Sequence, residues 1–119
     1  MRGINEDDCL KKLGLFCNCI FEPQSRFSPL DGICDRYVCE IKQRNVKKDA
    51  YPTTIIGKNK IDYWKKHFPD RPLYFFVRFQ DGDFYYIWDN ADDIPVEQGG
   101  LREAPRDYYF VPKELLIPF

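Results

Sequence analysis

The sequence predicts an α/β sandwich around a mixed sheet, and three observations carry that prediction. Elements follow in the order helix, two strands, helix, two strands and a mixed tail. Ten Phe and eight Tyr favour sheet in a chain that is 44% hydrophobic. Asp81-Gly82, between two aromatic runs, is the strongest short-range hairpin signal in the chain. A length of 119 residues suits one domain over 1–119 and is too short for two ordinary ones.

Asn5 is placed to cap a first helix reaching to about residue 18, with Glu6, Asp7 and Asp8 in the first turn, where the helix dipole favours acids. Ile4 and Cys9 have the spacing of a hydrophobic staple, and Leu10, Leu13 and Cys17 share one face. Pro23 to Pro29 reads as a loop, followed by strands at roughly 29–34 and 37–44. Residues 51–56 read as extended. A second helix over about 57–68 places Ile61, Trp64 and Phe68 on one face and ends at Pro69.

Leu73 to Phe79 and Phe84 to Trp88 then flank the predicted hairpin, in which a two-residue loop at Asp81-Gly82 pairs Phe79 with Phe84 and Val77 with Tyr86. Asp89 to Arg106, with Gly99-Gly100 and Pro105, reads as a surface loop or irregular excursion. Tyr108 to Val111 returns as an edge strand.

The N-terminal stretch MRGINEDDCLKK has acids where an export signal needs an apolar run, and no apolar run approaches the ~18 residues of a membrane span. The expectation is a soluble cytoplasmic protein with no membrane partner. Five cysteines, an odd number, are then reduced thiols; Cys17-Asn18-Cys19 and the Cys34/Cys39 pair do not have zinc-site spacing and read as small buried hydrophobes. No Ser/His/Asp or Cys/His set and no glycine-rich phosphate loop can be assembled.

The formal net charge of −1 hides a strong asymmetry. Lys42 to Lys66 carries a local balance of +6, and Asp81 to Asp107 one of −6. Attraction to phosphates follows the local field, so the basic segment is compatible with a nucleic-acid partner. The plain alternative is two solvated faces of opposite sign that pair with each other.

The segment SPLDGICDRYVCEIKQR, Ser28 to Arg44, carries the functional signal. If its two strands are joined over Asp35-Arg36, or over Cys34 to Tyr37, opposing residue numbers sum to 71 and Asp31 faces Glu40. Alternation then puts Asp31, Ile33, Val38, Glu40 and Lys42 on one face and leaves Leu30, Gly32, Cys34, Tyr37, Cys39 and Ile41 on the other. Two carboxylates across a strand pair repel. A solvated face with Lys42 nearby would relieve them; so would a divalent cation, since hard oxygen ligands suit Mg²⁺ or Mn²⁺.

Asp31, with Glu40-Ile41-Lys42 nine residues on and Pro29-Leu30 just before it, resembles the motif of the PD-(D/E)xK nuclease superfamily, and the wider layout is similar to small phage- or virus-type members. The resemblance covers about Ile4 to Trp88. It implies a restriction-endonuclease-like fold, a central mixed sheet flanked by helices, and Mg²⁺- or Mn²⁺-dependent hydrolysis of DNA phosphodiester bonds, in a cytoplasm that includes that of an infected host. It makes Asp31 and Glu40 metal ligands with the carbonyl of Ile41, and Lys42 the catalytic lysine. Gln43 is a further candidate beside the site, and Glu6 or Glu22 would stand for the helix glutamate of many relatives. Arg44, Lys47, Lys48, Lys58 and Lys60 are then candidates to hold the DNA backbone. So short a module leaves little surface for a dedicated recognition domain, which allows a homodimer. The competing classes are a catalytically inactive binding or regulatory protein on the same fold, and a structural α/β protein with an accidental motif.

Overall fold

The structure is a computed structural model that describes residues 4–88, 94–101 and 104–119. It is a mixed α/β fold with a central sheet flanked by helices. In chain order the elements are α1 (Ile4–Cys17), β1 (Glu22–Pro23), β2 (Gly32–Ile33), β3 (Val38–Gln43), a 3₁₀ turn (Lys48–Ala50), β4 (Thr53–Gly57), α2 (Lys58–His67), β5 (Leu73–Phe79), β6 (Gly82–Trp88), β7 (Val96–Leu101), β8 (Ala104–Pro112), a second 3₁₀ turn (Lys113–Leu115) and β9 (Ile117–Pro118). Six strands form the main sheet in the order β1-β2-β3-β5-β6-β9, and β4-β8-β7 form a second. The central pair β3 and β5 runs parallel, with Glu40 opposite Phe75 and Lys42 opposite Val77, and the other pairs are antiparallel.

Both faces of the main sheet are covered. On one, Cys9, Leu10 and Leu13 of α1 pack with Cys39 and Phe76. On the other, Ile61 and Trp64 of α2, with Ile56 and Val111 of the second sheet, pack on Val38, Phe75 and Val77. β5 is therefore apolar on both sides, as a strand enclosed between two layers must be. The face carrying Asp31, Glu40 and Lys42 is a core face and not a solvated one.

Several expectations change at this level. α1 begins by Ile4, so Asn5 lies inside the helix that it was placed to cap. Residues 29–31 are not strand, because Ser28 and Pro29 belong to a turn in which Leu30 N–H donates to Ser28 Oγ at 3.3 Å. Strand alternation therefore fails at Leu30, which joins the α2 side of the core.

The β5–β6 hairpin turns over Gln80-Asp81, pairing Phe79 with Gly82 and Val77 with Phe84, two residues away from the predicted register. Three contacts set this turn. Gln80 N–H donates to Val46 O at 2.9 Å, Asp81 Oδ1 accepts Lys48 N–H at 2.9 Å, and Arg78 faces Asp83 across the strands in a two-pronged ion pair at 2.8 and 2.9 Å. Gly82 takes a φ of 152°, which side-chain-bearing residues avoid.

The acidic segment read as a loop supplies β7 and the start of β8; residues 89–93 and 102–103 of it lie outside the described residues. Tyr108 to Val111 is central in the second sheet, between β4 and β7, and not an edge. All five cysteines are free; Cys9, Cys34 and Cys39 are buried, whereas Cys17 and Cys19 are half-buried.

Candidate active site

The short hairpin that holds the motif has the predicted register, with Gly32 opposite Cys39 and Ile33 opposite Val38. Just beyond the ladder, Asp31 N–H donates to Cys39 O at 3.1 Å, which brings Asp31 alongside Glu40. The Asp31 side chain folds back onto β3, where Oδ2 accepts the Ile41 N–H at 2.8 Å. Gly32 allows this close approach, because a Cβ there would lie 2.7 Å from Cys39 Sγ and 2.8 Å from Leu10 Cδ2.

Glu40 is 4% exposed. Lys60 Nζ of α2 stands 2.6 Å from its Oε2. That ammonium lies off the directions a well-formed hydrogen bond needs, so Oε2 is a buried oxygen without a directed donor among the described residues. Lys60 Nζ instead donates to Pro29 O at 3.0 Å. Burial pushes the Glu40 carboxyl well above the usual carboxylate range; the adjacent Asp31 adds to the rise and Lys60 opposes it. Burial alone would also raise Asp31, but hydrogen bonds with Glu40, Glu6 and the Ile41 amide, together with the Lys60 charge, outweigh it and hold Asp31 below its ordinary value. The pair is thus biased toward a proton on Glu40 and charge on Asp31. Burial lowers the Lys42 ammonium, helped by Arg44 and Lys60 and partly offset by Glu40.

Glu40, Ile41 and Lys42 line a cleft of about 450 Å³ between the two sheets. Its walls are the 27–29 turn, Ile55 to Gly57 of β4, Asn59 and Lys60 of α2, and Arg106 to Tyr108 of β8. Asp31 opens with Glu6 on a neighbouring depression, and Lys60 borders both. Glu6 therefore joins the carboxyl group through Asp31. Its signal was present in the sequence: Glu6 shares a helix face with Cys9, Leu10 and Leu13, so it had to point at the sheet.

The remaining candidates are spread out. Glu22 sits exposed on β1, beside a different depression lined by Arg36 and Arg71. Gln43 is exposed at the end of β3 and does not line the cleft. Arg44 continues the Glu40–Lys42 face beyond the strand, its guanidinium 5.6 Å from the Tyr51 ring. Lys47 and Lys48 flank the same spot, and the Lys48 ammonium lies over Phe84 at 5.0 Å. Lys58 pairs with Asp62 one turn along α2 at 2.7 Å. Lys60, expected to contact a DNA backbone, is instead the counter-ion of the carboxyl pair. No local pattern announces that role, since the contact joins residues twenty positions apart.

The donor set fits a hard cation: two carboxylates and the Ile41 carbonyl are oxygen ligands, and Mg²⁺ is commonly held by one or two carboxylates with water and phosphate completing the shell. Among the described residues no group of three or more His, Cys, Asp or Glu side chains is arranged to hold a metal ion, and no helix is long and apolar enough to cross a membrane. Lys60 Nζ already stands 2.6 Å from Glu40 Oε2, so an ion held by Asp31 and Glu40 would have to displace that ammonium. Comparison with known proteins finds no matching family model, no matching curated protein and no matching solved structure.

Proposed function

We propose that this chain is a metal-dependent nuclease of restriction-endonuclease-like fold that hydrolyses DNA phosphodiester bonds. The observation that carries the reading is Glu40: a nearly fully buried carboxyl lining an open cleft, beside a second carboxyl and a lysine of lowered pKa, with the Lys60 ammonium 2.6 Å from its Oε2. Strongly perturbed titratable groups gathered in a cleft mark a candidate functional site. Asp31 and Glu40 would hold Mg²⁺ or Mn²⁺, with the Ile41 carbonyl as a further oxygen. Such an ion, when bound, supplies a Lewis acid for the phosphate oxygens.

The chain's own groups do the rest. Lys42 Nζ orients the attacking water, and its lowered pKa lets it exchange a proton more readily than an exposed lysine. Arg44 holds a neighbouring phosphate. α2 supports an anionic ligand: its N-terminus faces the cleft with no side-chain cap and no acid in its first turn, and carries Lys58 and Lys60 where the helix dipole disfavours cations.

A second reading, a nuclease-fold binding protein without catalysis, is favoured by Lys60, which already neutralises the carboxyl pair. The two are separated by incubating the wild type and Lys42→Ala with duplex, single-stranded and branched DNA in Mg²⁺ or Mn²⁺, and by calorimetric titration of Mg²⁺ into the wild type and Glu40→Gln. Cleavage lost in Lys42→Ala, with Mg²⁺ binding lost in Glu40→Gln, is the expected result. No cleavage of any substrate and no Mg²⁺ binding that depends on Glu40 would sink the enzyme reading.

A further inference from the structure

We infer that the cleft takes a single strand of DNA, with one unpaired base stacked on Phe27 and another on Tyr51. This rests on the nuclease reading for the site between them. Phe27 is 82% exposed at the mouth of the cleft, and Tyr51 is 54% exposed beside Arg44. Neither ring has an aromatic partner among the described residues; each has an arginine, Arg26 at 5.0 Å from the Phe27 ring and Arg44 at 5.6 Å from Tyr51. A solvent-open ring with a guanidinium over one face suits a nucleotide, whose base stacks on the other face while its phosphate meets the cation.

Phe27 is held in place and is not a loose loop tip. Its N–H donates to Ser25 Oγ at 3.3 Å, Ser28 N–H donates to Ser25 O at 2.9 Å, and Lys60 ties Pro29 O to α2. A large apolar side chain fixed in water on a braced turn loses the hydrophobic gain of burial unless something covers it. The other strongly exposed aliphatic side chains, Leu15 and Ile20, lie about the end of α1, beside a depression that none of the carboxyl pair lines.

Cleft size selects the single strand. At about 450 Å³ the space is near the small end of ligand pockets, roughly 300–1,000 Å³, a size for a nucleotide or two of a single strand and not for a base-paired segment. Glu40 is nearly fully buried and lines the cleft together with β4, α2 and β8, which favours approach by a strand free of its complement. Past Lys42, strand alternation carries the Glu40 face of β3 to Arg44, whose guanidinium meets the Tyr51 ring, so a strand leaving the cleft there meets a cation and a ring.

The test is fluorescence anisotropy with a labelled dT12 and a labelled 12-base-pair duplex, without divalent metal, for the wild type, Phe27→Ala, Tyr51→Ala and the distant control Leu15→Ala. The wild type is expected to bind dT12 at least tenfold more tightly than the duplex. Each aromatic substitution should weaken dT12 binding about five- to a hundredfold, the span for loss of one stacking ring, and Leu15→Ala should match the wild type. Phe27-dependent binding of dT12 upholds the inference whether or not the bound strand is later cut, so a failure of catalysis is read separately. Equal affinity for duplex and single strand, no binding of dT12, or unchanged binding in Phe27→Ala overturns it.

Discussion

Replacing Lys60 by Met tests how the buried carboxyl pair is balanced, because Met keeps the apolar stem and removes only the ammonium. Two losses follow. The hydrogen bond to Pro29 O disappears at every pH and costs about 1–2 kcal/mol. The second loss depends on pH. Glu40 has a folded-state pKa raised well above the ordinary 4.5, so its contribution to stability is present at acid pH and is lost as pH rises toward that raised value. Lys60 opposes the rise, so its removal lifts the folded value further.

Below the wild type's own raised value both proteins keep Glu40 protonated, and the two stability curves run parallel. Above it the wild type ionises against Lys60 and the variant does not, so the gap widens by about 1.4 kcal/mol per pH unit. The ceiling is about 3–5 kcal/mol, the cost of stripping a buried charge of its partner. At about 3–6 °C per kcal/mol for a domain of this size, the full difference reaches ten degrees or more in Tm. Thermal denaturation followed by circular dichroism from pH 4.5 to 9 reads it directly. Mg²⁺ should then restore part of the loss, by about 2.7 kcal/mol at a hundred times its Kd. A Tm gap that is constant with pH would refute the charge pairing, and a gap that Mg²⁺ does not narrow would refute a cation site between the carboxyls.

Lys42→Ala should lower the cleavage rate by about 10²–10⁴-fold while leaving Mg²⁺ binding intact by calorimetry, since the lysine is argued to act on water and not on the ion. Asp83→Asn breaks the pair with Arg78 and the contact with Lys12 at 2.7 Å, and should cost about 1–3 kcal/mol at neutral pH in urea denaturation. Arg78 hydrogen bonds hold the Asp83 pKa below 3.8, so this stability is present above 3.8 and the gap between wild type and variant should close as pH falls through the lowered value. Gly32→Ala forces a Cβ within 3 Å of Cys39 Sγ and Leu10 Cδ2, and should cost about 1–3 kcal/mol by overpacking, read as a lower urea midpoint with unchanged slope.

What the sequence made legible was local. The spans of α1, α2 and β5, and the 71-sum register of the first hairpin, follow from helix periodicity, Pro69 and the turn at Asp35-Arg36. What it hid is set by contacts far apart in the chain. The parallel pairing of β3 with β5 needs a crossover through β4 and α2, which no residue of either strand announces. β7 carries Glu97, Gly99 and Gly100, which read as loop residues, yet pairing with β8 supplies the backbone hydrogen bonds that make it a strand. The hairpin at Asp81-Gly82 was recognisable as a hairpin, but its register answers to Val46, Lys48 and the Arg78–Asp83 pair instead of to the dipeptide.

The same split runs through the site and bears on what it is for. Asp31, Glu40 and Lys42 could be read as surface charges as long as their face of the hairpin was free to be solvated. α2 and the second sheet remove that option, because Val38 and Phe75, beside Glu40 on β3 and β5, are fully buried on that side. A carboxyl placed there solely for stability is hard to account for: an apolar residue of similar size would pack without desolvating a charge, and such replacements are often neutral or stabilising by about 1–4 kcal/mol. Gly32 leaves room for the close approach of the hairpin, Glu6 bonds Asp31, Asp31 bonds the Ile41 amide, and Lys60 stands 2.6 Å from Glu40 Oε2. Residues from three parts of the chain, Glu6, Asp31-Gly32 and Lys60, thus gather around one buried carboxyl, and that convergence is what motivates the proposed site.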